Sequence, residues 1–121
     1  MKNTGMLLWL DDTRNPMEGD WLVFSPIKPK EVIWVKSYKD FASWITKNGL
    51  PEAICFDHDL GDLDINNATY VEKTGYDAAK WLVEYCIESR DKLPLYNVQS
   101  ANNVGKENII RYLENYKKLY E

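Results

Sequence analysis

Aspartates crowd two places in the sequence, and their spacing is the first indication of chemistry. Asp11 and Asp12 form an adjacent pair, and Asp57-His58-Asp59 places two further acids around the only histidine of the chain. Two carboxylates ~4 Å apart repel by roughly 1 kcal/mol in water and by about 4 kcal/mol in a partly shielded site. A fold that gathers them therefore holds a proton or a cation there. Ligands that are all oxygen suit Mg²⁺ or Mn²⁺.

The single histidine could move protons in such a site. His58 lies beside the acids in a polar stretch, where a histidine can act as a general acid or hold a phosphate, although a lone histidine can equally be structural. If the chain is still extended here, the ring points away from Asp57 and Asp59, because side chains alternate along a strand.

A second polar group follows an apolar run late in the chain. The Ser100 hydroxyl, the backbone N–H groups of the next turn and Lys106 could hold a phosphate oxygen at a helix N-terminus. Ser100, Asn102 or Asn103 could instead cap that helix, and the two roles are compatible. Arg14, close after the acid pair, is either a salt-bridge partner of the acids or a phosphate clamp.

A calcium loop is a weaker interpretation of the residues after the histidine. Asp62, Asp64 and Asn66 alternate as in an EF-hand loop. The sixth loop position is Asn67 rather than glycine, and the twelfth is Lys73 rather than glutamate. We therefore expect a solvated loop here.

Alternating apolar runs and amphipathic patterns predict the elements that position these residues. The predicted strands are residues 6–10, 32–35, 53–56 and a run within 93–99 that begins after Pro94. The predicted helices run from a Ser37 cap to a Gly49 stop, from a Thr74 cap to about Ser89, and onward from the turn at residues 100–103. Their predicted inward-facing residues are Tyr38, Phe41, Ala42, Ile45, Ala78, Ala79, Leu82, Cys86, Ile109, Ile110, Leu113 and Tyr116.

This order predicts one α/β domain over residues 1–121, a three-layer αβα fold around a flavodoxin-like parallel sheet with right-handed crossovers. In such sheets ligands bind at the carboxyl ends of the strands, where the winding direction reverses. A strand order of 2-1-3-4 places that reversal between the first and third strands. The four aspartates Asp11, Asp12, Asp57 and Asp59 would then meet at one spot.

Residues 13–31 contain three prolines, which disfavour a regular helix after the first strand. We predict that residues 21–24 pack as an extended segment. We see no pattern for a typical fifth strand.

Charge and cysteine usage exclude some classes of protein. A net charge of -4 argues against general DNA binding or a membrane surface. Cys55 and Cys86 fall in apolar patterns, so we predict reduced, buried thiols in a cytoplasmic protein. We find neither a leader peptide nor an apolar run near eighteen residues, and predict no membrane insertion.

With these residues placed, the chain resembles a receiver domain, the phosphoacceptor module of two-component signalling. Asp11-Asp12, Asp57 and Ser100 match, in order, the acid pair, the aspartate and the hydroxyl that end three receiver strands. The resemblance implies that Asp12 and Asp57 ligate Mg²⁺ and that Asp59 adds a backbone carbonyl. The receiver lysine and first helix have no counterpart here.

Three motifs resemble a narrower group, the cyclic-phosphate processing receiver-like family. They are Leu10-Asp11-Asp12-Thr13-Arg14-Asn15-Pro16, Phe56-Asp57-His58-Asp59-Leu60-Gly61 and Ser100-Ala101-Asn102-Asn103-Val104-Gly105. A histidine precedes the serine in that family, whereas Gln99 stands here. The resemblance implies processing of a small cyclic phosphate or of a cyclic-phosphate RNA end.

We therefore predict a metal-dependent phosphoesterase. The predicted catalytic residues are Asp57, His58 and Ser100; the phosphate or substrate contacts are Arg14, Asn102 and Lys106; the metal ligands are Asp11, Asp12, Asp57 and Asp59. A non-enzymatic receiver-like phosphoacceptor or binding module, with a partner protein, is the alternative. A haloacid dehalogenase-type phosphatase is less favoured, because there the Asp-x-Asp motif follows the first strand of the sheet.

Overall fold

In the computed structural model, which describes residues 3–60 and 73–121, strands and helices alternate along the chain. The strands are β1 (Met6–Leu10), β2 (Glu31–Val35), β3 (Ala53–Phe56) and β4 (Leu95–Val98). The α-helices are α1 (Tyr38–Asn48), α2 (Gly75–Ser89) and α3 (Asn103–Tyr120), and a short 3-10 helix covers Trp21–Phe24. The proposed calcium loop lies largely outside the described residues.

The four strands form one parallel sheet in the order β2-β1-β3-β4. Leu10 at the end of β1 lies opposite both Val35 of β2 and Phe56 of β3, and Phe56 lies opposite Val98 of β4. The strands therefore end in register at one edge. This topology confirms the predicted receiver-like α/β class, and the described residues contain four strands and no fifth.

Local capping chemistry starts and stops the helices near the predicted positions. The Ser37 hydroxyl accepts a hydrogen bond from the Asp40 N–H at 3.0 Å, and Gly49, at a φ of 84°, ends α1. Thr74 and Asp77 form a capping box at the start of α2. No helix in the described ranges is long and apolar enough to cross a bilayer.

All three α-helices pack on one face of the sheet. Leu8, Leu10, Ile54 and Phe56 form the strand side of this core. The helices contribute fully or almost fully buried residues, which are Phe41, Ile45, Ala78, Ala79, Leu82, Val83, Cys86, Ile109, Leu113 and Tyr116. Of the residues predicted to face inward, Tyr38, Ala42 and Ile110 are only half-buried.

The chain between β1 and β2 contains the three prolines, and we call it the Pro-rich segment. It covers the opposite face of the sheet, where the buried residues are Leu7, Trp9, Ala53 and Cys55. The prediction of an extended segment at residues 21–24 is wrong, because these residues form the 3-10 helix. Its tight turns are closed by bonds from the Val23 N–H to the Asp20 carbonyl and from the Ser25 N–H to the Leu22 carbonyl. Pro26 then prevents further helix. The third layer of the fold is therefore this segment rather than α-helices.

Candidate active site

Three carboxylates meet where β1 and β3 end side by side. Asp11, Asp12 and Asp57 each have an oxygen within 4.8 Å of those of the other two, and we call them the acid cluster. Asp11 is fully buried and Asp57 is 4% exposed, whereas Asp12 is half-buried. The sheet thus gathers three of the four aspartates that were predicted to meet.

Asp11 is held by the turn that leaves β1. Its Oδ1 accepts hydrogen bonds from the backbone N–H groups of Thr13 and Arg14, both at 3.0 Å. Its Oδ2 accepts from Arg14 Nη1 at 3.2 Å and from Gln99 Nε2 at 3.4 Å. Hydrogen bonds from these donors offset the free-energy cost of burying the carboxylate. They also occupy most of its lone pairs, so that Asp12 and Asp57 present the freer oxygens.

Asp57 carries negative charge that its surroundings offset only in part. Burial, and next the nearby Asp11 carboxylate, raise the pKa of Asp57 to about 6, and Asp12 adds to this rise. Arg14 opposes it, with Nη1 3.5 Å from Asp57 Oδ1. The single positive charge of Arg14 therefore does not neutralise the acid cluster. An all-oxygen donor set with excess negative charge fits a hard divalent cation such as Mg²⁺ or Mn²⁺.

Asp59 lies apart from the acid cluster, on the rim of the site. Its side chain is 67% exposed, and its Oδ1 is 2.9 Å from His58 Nδ1. Its Oδ2 accepts a hydrogen bond from Asn102 Nδ2 at 3.4 Å. The hydrogen bond to His58 is the main reason why the pKa of Asp59 lies below its usual value. Because the chain bends at His58, the ring pairs with Asp59 instead of pointing away from it.

Two glycines let the first turns of α2 and α3 approach Asp57 and His58 closely, Gly75 at their backbone and Gly105 at the His58 ring. The Gly75 N–H donates to the His58 carbonyl at 2.8 Å, and a Cβ on Gly75 would overlap the Asp57 carbonyl oxygen. A Cβ on Gly105 would overlap the His58 ring. No role in positioning His58 was predicted for Gly105. A glycine in the first turn of a helix, where alanine would be more favourable, was the available signal.

The predicted phosphate contacts lie at the start of α3. Ser100 is 9% exposed, and its Oγ accepts a hydrogen bond from the Asn102 N–H at 3.1 Å. Asn102 Oδ1 accepts from the Gly105 N–H at 2.9 Å, so Asn102 caps the helix. Lys106 is half-buried in the first turn. This helix start therefore adjoins the rim formed by His58 and Asp59.

Three tryptophans that the sequence analysis did not assign fix the turn after β1. Trp34 Nε1 donates to the Asp11 carbonyl at 2.8 Å, and Trp9 Nε1 donates to the Arg14 carbonyl at 2.9 Å. The Arg14 guanidinium lies over the Trp21 ring, with Cζ 5.1 Å from the ring centroid. No sequence motif pointed to these contacts. Trp34 is distant from the turn along the chain, and Trp9 and Trp21 meet Arg14 only because of the way the turn folds.

Gln99 reaches the acid cluster from β4. Its Nε2 donates to the Leu10 carbonyl at 3.1 Å, as well as to Asp11. Its Oε1 is fully buried and has no hydrogen-bond partner among the described residues. Gln99 thus supplies one more donor to the cluster at the cost of an unpaired acceptor.

The parallel 2-1-3-4 sheet, with acids after β1 and β3 and a serine after β4, defines a receiver-like α/β domain. The chain matches the cyclic-phosphate processing receiver domain over residues 6–115, and it belongs to this family. The resemblance inferred from the three motifs is therefore confirmed. No curated protein matches the chain.

Proposed function

We propose that this chain is a metal-dependent phosphoesterase that hydrolyses cyclic phosphates, such as cyclic nucleotides or the 2',3'-cyclic phosphate ends of RNA. The observation that carries the proposal is the acid cluster, with oxygens within 4.8 Å of one another, beside Arg14. Membership of the family supplies the substrate class. In this reaction water attacks phosphorus, one P–O ester bond breaks, and the released oxygen takes a proton to give a phosphomonoester.

The metal would be held by Asp12 and Asp57, supported by Asp11, with the Asp59 backbone carbonyl as a further ligand. Bound there, Mg²⁺ or Mn²⁺ would polarise the phosphoryl group and lower the pKa of an attacking water. The buried carboxylates fix the geometry of this site, because the hydrogen bonds to Asp11 lock the turn after β1.

The other polar residues would bind the phosphate and move a proton. Arg14, anchored between Asp11 and Asp57, would offset charge that develops on the phosphate oxygens. Ser100, Asn102 and Lys106 would bind oxygens from the side of α3. His58 would give a proton to the leaving oxygen through Nε2, since its Nδ1 is engaged by Asp59.

Turnover assays test this proposal. The protein is incubated with 2',3'-cyclic nucleotides, cyclic dinucleotides and cyclic-ended RNA in the presence of Mg²⁺ or Mn²⁺. We expect a phosphomonoester product that disappears in Asp57→Asn and persists in Asp40→Asn, a matched change on the surface of α1. No turnover of any of these substrates, with Asp57→Asn indistinguishable from wild type, would contradict the proposal.

A receiver-like phosphoacceptor that signals to a partner protein is the second candidate. It is favoured by the position of Asp57, which directly follows β3 and is almost completely buried. Beryllofluoride with Mg²⁺ mimics an acyl phosphate at such an aspartate. Large chemical-shift changes around Asp57, in a protein that turns over no cyclic phosphate, would favour this function over hydrolysis.

We also propose that the protein works in a reducing compartment such as the cytoplasm. Cys55 and Cys86 are both free and buried, which supports this assignment.

A further inference from the structure

A small cavity, wide open to solvent, lies beside Arg14, on the face of the sheet opposite the α-helices. Its volume is about 350 Å³, and it is lined by Gly19, Asp20, Trp21, Val23 and Phe24. We call it the Trp21 cavity. Small-molecule sites commonly span roughly 300–1,000 Å³, so it could accept one flat ring system.

The walls of the Trp21 cavity are largely aromatic and aliphatic. The rings of Trp21 and Phe24 are stacked with centroids 6.2 Å apart. Val23 is 78% exposed, although valine is usually buried. Aromatic side chains next to a polar centre are suited to stack a planar ligand group.

Arg14 connects this cavity with the acid cluster. Its Nη1 lies 3.5 Å from Asp57 Oδ1, and its Cζ lies 5.1 Å from the Trp21 ring centroid. Because one C–N bond joins these two guanidinium atoms, the indole is within about 10 Å of the Asp57 carboxylate. In a nucleotide only a ribose separates the phosphate from the base. The two regions can therefore bind the two ends of one nucleotide.

We propose that the Trp21 cavity binds the nucleobase of a nucleotide whose cyclic phosphate lies at Arg14 and the acid cluster. This inference rests on the proposed function and adds to it a binding site for the base of the substrate. Trp21 stacks on the base, which every nucleobase permits because each has a flat π-face. Val23 covers the edge of the base at the mouth of the cavity.

Titration calorimetry in the presence of EDTA tests the inference, because it measures binding without turnover. The probes are 2',3'-cyclic GMP, 2',3'-cyclic AMP and base-free ribose 2',3'-cyclic phosphate. We expect both nucleotides to bind roughly 5- to 100-fold more tightly than the base-free probe. Trp21→Ala should remove the advantage of the base, and it should affect the base-free probe only through the lost contact with Arg14. Trp44→Ala, which removes another half-buried tryptophan on the opposite face, should keep that advantage.

A further variant keeps the test decisive if Trp21→Ala does not fold. Val23→Glu changes an exposed residue at the mouth of the cavity and should weaken only the base-bearing probes. Its control, Glu18→Gln, should leave all probes unchanged. Equal affinities for base-bearing and base-free probes, or no binding of any probe, would overturn the inference. Formation of dimers that Val23→Glu dissociates would overturn it as well.

The proposed function can fail separately from this inference. Base-dependent binding that Trp21→Ala removes, in a protein that hydrolyses none of the probes, would uphold the base site and contradict the phosphoesterase. Equal hydrolysis of base-free and base-bearing probes would uphold the phosphoesterase and overturn the base site.

Discussion

Arg14 lies in the turn after β1 and Asp57 directly follows β3, yet Arg14 Nη1 is 3.5 Å from Asp57 Oδ1. The same nitrogen is 3.2 Å from Asp11 Oδ2, so one cation serves two buried carboxylates. Within residues 3–60 and 73–121, no ion pair offsets the charge of Asp12. The cluster is therefore stable only as a partly protonated or cation-bound group.

Removal of Arg14 should separate metal binding from phosphate binding. Arg14→Ala leaves the acid cluster more negative, so we expect several-fold tighter Mn²⁺ binding together with weaker binding of cyclic phosphates. Loss of a buried ion-pair partner should cost about 3 kcal/mol of stability in EDTA. Calorimetry and urea unfolding measure these changes, and Arg111→Ala on the exposed side of α3 is the control. Weaker Mn²⁺ binding in Arg14→Ala would contradict the assignment.

Substitution of Asp57 should stabilise the metal-free protein while it removes function. Asp57→Asn eliminates a buried carboxylate that repels its neighbours, so the free energy of unfolding in EDTA at pH 7 should rise by about 1–3 kcal/mol. Mg²⁺ affinity should fall at least tenfold. Asp59→Asn should instead lower the free energy of unfolding, because the low pKa of Asp59 means that the fold favours its charged form. Chemical denaturation with and without Mg²⁺ checks both variants.

The raised pKa of Asp57 predicts how stability depends on pH. Asp57 holds its proton to about pH 6 in the folded state, whereas an unperturbed aspartate releases it near pH 3.8. Between these values the folded state binds more protons, so its stability should fall by up to ~3 kcal/mol as the pH rises, and then level off. Urea unfolding in EDTA from pH 4 to 7 should show this fall in wild type and not in Asp57→Asn. Mg²⁺ competes with the proton, so its affinity should rise over the same interval.

A methyl group on Gly105 should test the role of His58 without touching the acid cluster. The Cβ of Gly105→Ala would overlap the His58 ring and force it to move. We expect turnover to drop at least ~10-fold while Mn²⁺ affinity stays within a factor of two or so, as for loss of a proton-transfer group alone. Val104→Ala, at an exposed position in the same first turn of α3, is the control. Unchanged turnover in a protein whose His58 resonances have shifted would exclude His58 from catalysis.

Gln99 should respond differently to two substitutions. Gln99→Met loses the hydrogen bonds to Leu10 and Asp11 but also removes the unpaired buried Oε1, so stability should change by less than about 1 kcal/mol. Gln99→Glu places a carboxylate beside Asp11 and should be strongly destabilising at pH 7, and less so at pH 4. Thermal unfolding at the two pH values compares them. A large loss in Gln99→Met would show that the bond to Asp11 matters more than the unpaired acceptor.

Local patterns predicted much of this fold. The caps at Ser37 and Thr74 and the stop at Gly49 depend on neighbours within a few residues, so they were readable in the sequence. The convergence of Asp11 with Asp57 followed from strand order, because parallel strands end at one edge.

The missed features depend on contacts between distant residues. The 3-10 helix at Trp21–Phe24 has no periodic pattern, and its packing on Cys55 is set by the sheet beneath it. Gln99 reaches across β3 to Leu10, and Gly105 meets His58 only because α3 docks there. The bend at His58 likewise depends on Gly75, which comes close to the Asp57 carbonyl.

The thiol of Cys55 offers a direct measure of how tightly the Pro-rich segment closes. It is fully buried on the sheet face that this segment covers, and its Sγ donates to the Phe24 carbonyl at 3.6 Å. Burial raises its pKa to about 12, so an alkylating reagent finds almost no thiolate while the segment is closed. Cys86 is shielded by α2 on the other face, with a pKa also raised to about 12 by burial and then by Asp91. If Cys55 is labelled faster than Cys86, the Pro-rich segment opens without global unfolding of the protein.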